Sequence, residues 1–381
     1  MRKLLFIAIS CTPVMAQADN GTGSLGTALN GICSSAASGN AFFTRCQEFL
    51  AASDPQAATR IAAGQRLEEL PGQGRASTRN QQQAETVSEE WGKGWSAFAS
   101  ADIGRLDRST SFNEAAFDGS ADRLTAGLNY QLNTHLLLGL ALNHTQEKLD
   151  FNQSNSRNDA SMNGALFTAN FNASDDVSID AYFGHLSGST TNVRNINYSI
   201  EATPGNLQSF SSQAFASPDV SRNVLGISGS WLWHKDAWSG GISLGMDQSK
   251  TKLAAYSETG GDGFGLDVPE RNIKSRTGSL NFSIAKTYSV DWGVVVPNAR
   301  LGFRKEYDNP SRQLTVQFTQ DATNTGIAFD TSDPDTSWGE VGVGVSLVMK
   351  KGHQAFFEYR QRFAHSFLQE RSLAVGWRME F

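Results

Sequence analysis

Six histidines, His135, His144, His185, His234, His353 and His365, are the side chains of this 381-residue chain most suited to proton transfer or metal binding. They are scattered, and none lies at metal-ligand spacing from another. The acidic cluster from Asp330 to Asp335 reads as solvated surface or as a weak calcium loop. Gly260, Gly261 and Gly263 are read as loop glycines, because no strand-to-helix setting surrounds them to make a phosphate cradle. The three cysteines are Cys11, Cys33 and Cys46. If Cys11 leaves with an export signal, Cys33 and Cys46 remain as a disulfide candidate, with two free thiols as the alternative. Closing so short a loop would contribute about 3 kcal/mol. No histidine lies near the pair to complete a metal site. No catalytic constellation emerges, and the chain is expected to be non-enzymatic and without a cofactor.

The charges that remain are arranged by position rather than by motif. Arg123, Arg276, Arg300, Arg304, Glu340, Glu358, Arg360, Arg362 and Arg378 are read as wet-face residues of alternating segments. Successive side chains of a strand point to opposite faces, so such segments have one apolar and one wet face. The end of the chain shows this most plainly. Leu373, Val375, Trp377, Met379 and Phe381 alternate with Ala374, Gly376, Arg378 and Glu380. With the apolar face in lipid, the charged positions would line a polar lumen, where they either pair with one another and with a threaded segment or are solvated in a wide channel.

Twelve such segments follow Trp95. They include Trp95–Ile103, Leu124–Tyr130, Leu136–Leu142, Val341–Met349 and the terminal Leu373–Phe381. Their connections sort into two classes. The short ones are centred on Asn133-Thr134, residues 172–176, Asp236, Asp291 and Lys351. The long polar ones include residues 105–119, 150–159, 190–221, 252–273 and 308–335, with a brief one at His365-Ser366. Short turns alternating with long loops predict a 12-stranded antiparallel transmembrane β-barrel of outer-membrane type, with turns inside and loops at the cell surface. Most of the tryptophans fall near segment ends, as interfacial girdles do. Hydrophobic content of 39% and a mean hydropathy of −0.35 accord with strands rather than apolar helices. A net charge of −6 excludes a general nucleic-acid binder.

The first residues differ. Met1-Arg2-Lys3, the apolar Leu4–Ile9 and the small-x-small Ala16-Gln17-Ala18 predict a signal peptide over 1–18. Residues 19–74 read as a short helical leader, with helical spacing over 32–50 and a helix start at Asp54-Pro55. Residues 75–92 are a polar linker without an apolar face, a candidate lumen helix able to pair through Glu85, Glu89 or Glu90, and the barrel occupies 93–381.

From Trp95 to Phe381 the chain resembles the autotransporter β-domain, the translocator of type V secretion. The resemblance rests on Gly94-Trp95-Ser96-Ala97-Phe98, on Val294-Val295-Val296-Pro297-Asn298-Ala299-Arg300-Leu301, and on the terminal Leu373–Phe381. It implies a barrel with a helix threaded through its lumen, linking an exported passenger to the first strand. It also implies that Leu373, Val375, Trp377, Met379 and Phe381 form the signal read by the barrel-assembly machinery. The leader is far shorter than usual passengers and lacks their lipase and protease motifs. The partners expected are therefore outer-membrane lipid, that machinery, and a host or surface ligand at the loops, with the barrel a monomer.

Overall fold

The computed structural model describes residues 32–33, 39, 41–51, 94–110, 115–152, 154–308, 313–330 and 335–380. The expected signal peptide, the helix expected after Asp54-Pro55, the polar linker with its glutamates, and Phe381 lie outside the described residues. The helix α1 (Ala41–Ala51) precedes the strands, and Ile32 and Cys33 are also helical. The strands run in order β1 (Trp95–Arg108), β2 (Phe117–Asn133), β3 (Leu136–Phe151), β4 (Arg157–Asn172), β5 (Val177–Thr203), β6 (Asn206–Ala216) and β7 (Asp219–Lys235). There follow β8 (Trp238–Leu253), β9 (Tyr256–Ser257), β10 (Thr259–Gly260), β11 (Leu266–Val268), β12 (Arg271–Lys286), β13 (Tyr288–Val290) and β14 (Gly293–Glu306). The last are β15 (Gln313–Phe318), β16 (Ile327–Asp330), β17 (Ser337–Met349), β18 (His353–Phe363) and β19 (Leu368–Glu380).

Twelve of these strands close into an antiparallel barrel. Its order is β1, β2, β3, β4, β5, β7, β8, β12, β14, β17, β18 and β19, and the ring is completed where β19 returns to β1. That seam is paired along its whole length, from Ser96 opposite Glu380 to Arg108 opposite Leu368. Closure matters because an unpaired backbone group in lipid costs several kcal/mol. Among the described residues no helix is long and apolar enough to cross a membrane.

Alternation sets the two surfaces. Leu124 and Leu128, Leu138, Leu140 and Leu142, Leu225 and Ile227, Leu244 and Met246, and Val341 and Val343 all point outward and are exposed. Leu142 is 68% exposed, far too much for so many apolar residues to face water in a contiguous belt. Trp95 stacks near Tyr130 at 4.8 Å, and Trp231, Trp233, Trp238, Trp292 and Trp377 also lie exposed toward the short-turn end. They form an interfacial girdle.

The long connections are not plain loops, which corrects the sequence reading. β5 runs 27 residues, about twice what the membrane band needs, and turns back as β6. β5 pairs with β7 only as far as Ser189 opposite Asp219, and from Asn192 onward it pairs with β6 instead. The β8–β12 and β14–β17 connections fold into a second, four-stranded sheet in the order β16, β15, β11, β9. The reason is a period of two that polar composition obscures. Ile196, Tyr198 and Ile200, then Leu266 and Val268, then Leu314, Val316 and Phe318, are all buried in one cluster.

A buried ion pair ties these pieces together. The Arg194 Nε–H of β5 donates to Glu258 Oε1 at 3.0 Å, and Arg194 Nη2 donates to the Phe264 carbonyl at 2.7 Å. Glu258 Oε2 also accepts the Leu266 backbone N–H at 3.0 Å. The two side chains are 8% and 4% exposed, so removing one partner strands the other's charge. Arg194→Met should therefore destabilise this region by about 3–5 kcal/mol, and adding Glu258→Leu should recover part of the loss. Amide exchange at β11 in the detergent-solubilised barrel reads both, and unchanged protection in Arg194→Met would refute the account.

Candidate functional site

The site is assembled where the leader meets the barrel's long connections. Ile32, Cys33, Phe42 and Cys46 are buried in the same core as the β5–β6 hairpin and the four-stranded sheet. Phe42 is its centre. Its ring lies 4.9 Å from that of Phe318 and 6.3 Å, nearly perpendicular, from that of Phe264. Phe264 in turn meets Tyr198 and Phe210 edge-on at 6.0 and 5.9 Å. These offset and edge-to-face contacts are the arrangements aromatic rings prefer.

Polar contacts fix the helix over this cluster. The Phe42 backbone N–H, at the start of α1, donates to Gln320 Oε1 at 3.2 Å, satisfying one of the helix's open donors. Arg45 lies 3.4 Å from Asp262 and 4.8 Å from the centre of the Phe210 ring. Gly263 has φ +96°, and a Cβ there would stand 2.5 Å from the Phe42 nitrogen. Only glycine allows that turn and that approach together. Gly261 and Gly263 are buried in a short 3-10 turn, where Gly263 seats the leader and Gly261 lies against Ala214 and Ile196 of the hairpin.

Cys33 and Cys46 form a disulfide with Cα atoms 4.9 Å apart. It closes the leader into a small loop within the core, where a piece this short could not hold its own shape by burial alone. Phe42, the residue that makes the docking, was noted in the sequence only as part of a helical pattern; nothing local distinguishes it from other apolar positions.

Below this cap the inner wall of the barrel is apolar at the same end. Met162, Leu186, Val220, Val224 and Leu253 form one cluster, and Ala115, Phe117, Leu149 and Phe151 another. Tyr256 packs against both the cap core and the first of these clusters, and burial pushes its phenol above the ordinary value.

Further along, the inner wall is polar. Arg123, Arg300, Arg304, Glu340, Glu358, Arg360, Arg362 and Arg378 occupy the face opposite the outward apolar residues of their strands. Arg300 lies 3.6 Å from Glu358, and Arg304 lies 3.3 Å from Glu340 and 3.9 Å from Asp247. Arg360 pairs with Asp102, Arg362 with Glu370 at 2.6 Å, and Arg378 with Glu380 at 3.2 Å. The Tyr182 hydroxyl donates to Asp247 at 2.6 Å. Asp102, Asp247 and Glu370 were not among the sequence candidates, although each sits at an inward position of its strand. Arg276 corrects the sequence reading. It shares the face of Leu280 and Phe282, points outward, and pairs with Asp308 at 2.7 Å beyond the apolar belt.

Leu373 and Trp377 are exposed on the outer face of β19, with Val375 and Met379 at the same parity. His365 Nδ1 lies 3.0 Å from Asp335 at the β18–β19 turn and also faces the Leu368 N–H at 3.1 Å, a local clasp. Among the described residues no group of His, Cys, Asp or Glu could hold a metal ion.

The chain's likenesses agree with this architecture. A translocator domain of the autotransporter NalP from Neisseria meningitidis superposes with a TM-score of 0.58 at 14% identity, covering 77% of this chain and 90% of that one. The β-domain of the Bordetella autotransporter BrkA superposes with a TM-score of 0.51 at 15% identity, covering 76% of this chain and all of the other. No curated protein sequence matches it. The model of the autotransporter β-domain family matches residues 97–360, and with the closed barrel and its lipid-facing belt this shows that the chain belongs to that family and resides in the bacterial outer membrane.

Proposed function

We propose that this barrel carries its own short N-terminal leader across the outer membrane and keeps it there, folded with the long connections as a non-enzymatic surface cap. One observation carries the reading. The leader's α1 is packed among the long connections, whereas Trp95, where β1 begins, lies at the short-turn end. The chain between them therefore runs from one end of the barrel to the other. Residues 75–91 are mostly polar, with only Ala76, Ala84, Val87 and Trp91 apolar, so a route through the charged lumen costs less than one along the lipid-facing wall. Arg123, Arg300, Arg304, Glu340, Glu358, Arg360, Arg362 and Arg378 would line that route, and the ion pairs among the wall's charges would leave it little net charge. The barrel-assembly machinery would read the outward residues of β19. Any host or surface ligand would meet the cap first.

An epitope tag inserted after Asn20 tests the topology. External protease added to intact cells should remove it, and protection until the outer membrane is opened would sink the proposal. The docking has its own test. Gly263→Val places side-chain atoms where the Phe42 backbone lies, and Cys46→Ser removes a constraint of about 3 kcal/mol. Each should make the leader around Phe42 cleavable from outside while the barrel stays resistant. If neither changes the cleavage pattern, the leader is not held by this core.

A further inference from the structure

The β5–β6 hairpin stands beyond the barrel rim, and among the described residues its β6 edge is largely unpaired. On one side β6 pairs with β5 from Asn206 to Ala216. On the other, among the described residues, only Ala214 and Phe215 are paired, with Gly260 and Thr259. Residues 206–213 thus present backbone N–H and C=O groups along an edge that no other described residue pairs with, about 27 Å long. Native proteins blunt such edges with lysine, proline or a bulge. β6 reads NLQSFSSQAFA and carries no charge and no proline, and its register with β5 shifts only at the tip. Beside this edge, Asn195, Asn197 and Ser199 of β5 are also uncharged, and the one acid of that register is Glu201, opposite Leu207 near the tip. Ser199 and Ser209 hydroxyls meet at 2.9 Å, and Gln213 Nε2 donates to Asn195 at 2.8 Å. Leu207 is 61% exposed near the tip.

We infer that this edge pairs with the same edge of a second copy of the chain, forming an antiparallel two-fold interface at the surface. The argument for a second copy is symmetry and charge. Two identical strand edges related by a two-fold axis satisfy each other's hydrogen bonds without any further partner. The chain carries a net charge of −6, and β6 itself is an uncharged stretch, so the two strands that meet set no like charges directly opposite each other. One of the two seven-residue pairings that avoid the strand β10 sets Leu207–Gln213 against the same residues in reverse. The axis then passes through Phe210, and Ser209 of one copy faces Ser211 of the other. This departs from the monomer expected from the sequence, and it does not depend on how the leader reaches the surface.

The test uses the full chain in detergent, with Ser209→Cys and Ser211→Cys prepared separately and then mixed. With Cys11 replaced by serine, and the native Cys33 and Cys46 buried and bonded to each other, the new thiols report alone. The mixture should form a disulfide-linked dimer under mild oxidation, since opposed Cα atoms in such pairs lie about 4.5–5.5 Å apart. A cross-link in either variant alone would also support edge pairing, in a shifted register. Ser209→Lys with Ser211→Lys should lower the dimer fraction of the chain without introduced cysteines at least tenfold, while the amide protection of Phe42 stays unchanged. A chain that is monomeric at every concentration and gives no cross-link overturns the proposal. So does a dimer that survives the double lysine variant undiminished.

Discussion

The constraint on which the rest depends is that no strand edge can remain open inside lipid. Each barrel strand finds a partner on both sides, and the β1–β19 seam joins the first strand to the last. Once the ring is closed, the two-residue period of each strand decides everything about its surfaces. Leucines, phenylalanines and valines go to lipid, and arginines, acids, serines and asparagines go to the lumen. Closure with an even number of strands also places the first and last strand ends together, at the side of the short turns. It thereby makes the position of α1 informative, because the leader is found at the other end.

Outside the membrane the same chain obeys ordinary globular physics. Three connections that leave the barrel at different strands each bury an alternating apolar face, and none has enough apolar surface alone to be stable. They share one core, and the leader supplies its centre through Phe42. The Arg194–Glu258 pair adds specificity rather than much net stability, since taking both charges out of water costs most of what their attraction returns. The disulfide limits the freedom of the undocked leader, so ordering it against the barrel costs less.

The barrel was legible because its signal is repeated twelve times and is reinforced by turn length. Leu136 to Leu142, or Val341 to Met349, would be ambiguous singly, but their common period and spacing leave one architecture. The wet-face charges could be placed from parity alone, except Arg276. There the sequence interval Arg276 to Leu280 is even, so the arginine shares the lipid-side face, and only its position above the apolar belt makes that tolerable. The cap was not legible for a different reason. Ile196, Tyr198 and Ile200 alternate as clearly as many barrel residues, but they are separated by asparagines and serines that read as loop. Their partners, Phe42, Phe264 and Phe318, come from three distant parts of the chain. A core built from such contacts has no local period to betray it. Gly263 illustrates the limit: as a sequence feature it is a loop glycine, and its purpose appears only when the Phe42 backbone is found against it.

The hairpin shows how the two regimes meet in one strand. For its first half β5 lies in the barrel wall, between β4 and β7, where pairing is compulsory. Past Ser189 it leaves the ring, gains β6, and is covered on its inner face by the cap core. Water can satisfy the edge there, so nothing in the chain's own folding forces β6 to be covered. An uncharged edge that is tolerated by solvent but never blunted is therefore a feature of the surface rather than of the barrel. Its composition matters only when a second strand comes near. The cap and the open edge follow from the same extension of β5: its inward face supplies a core for the leader, and its free side supplies a template for another chain.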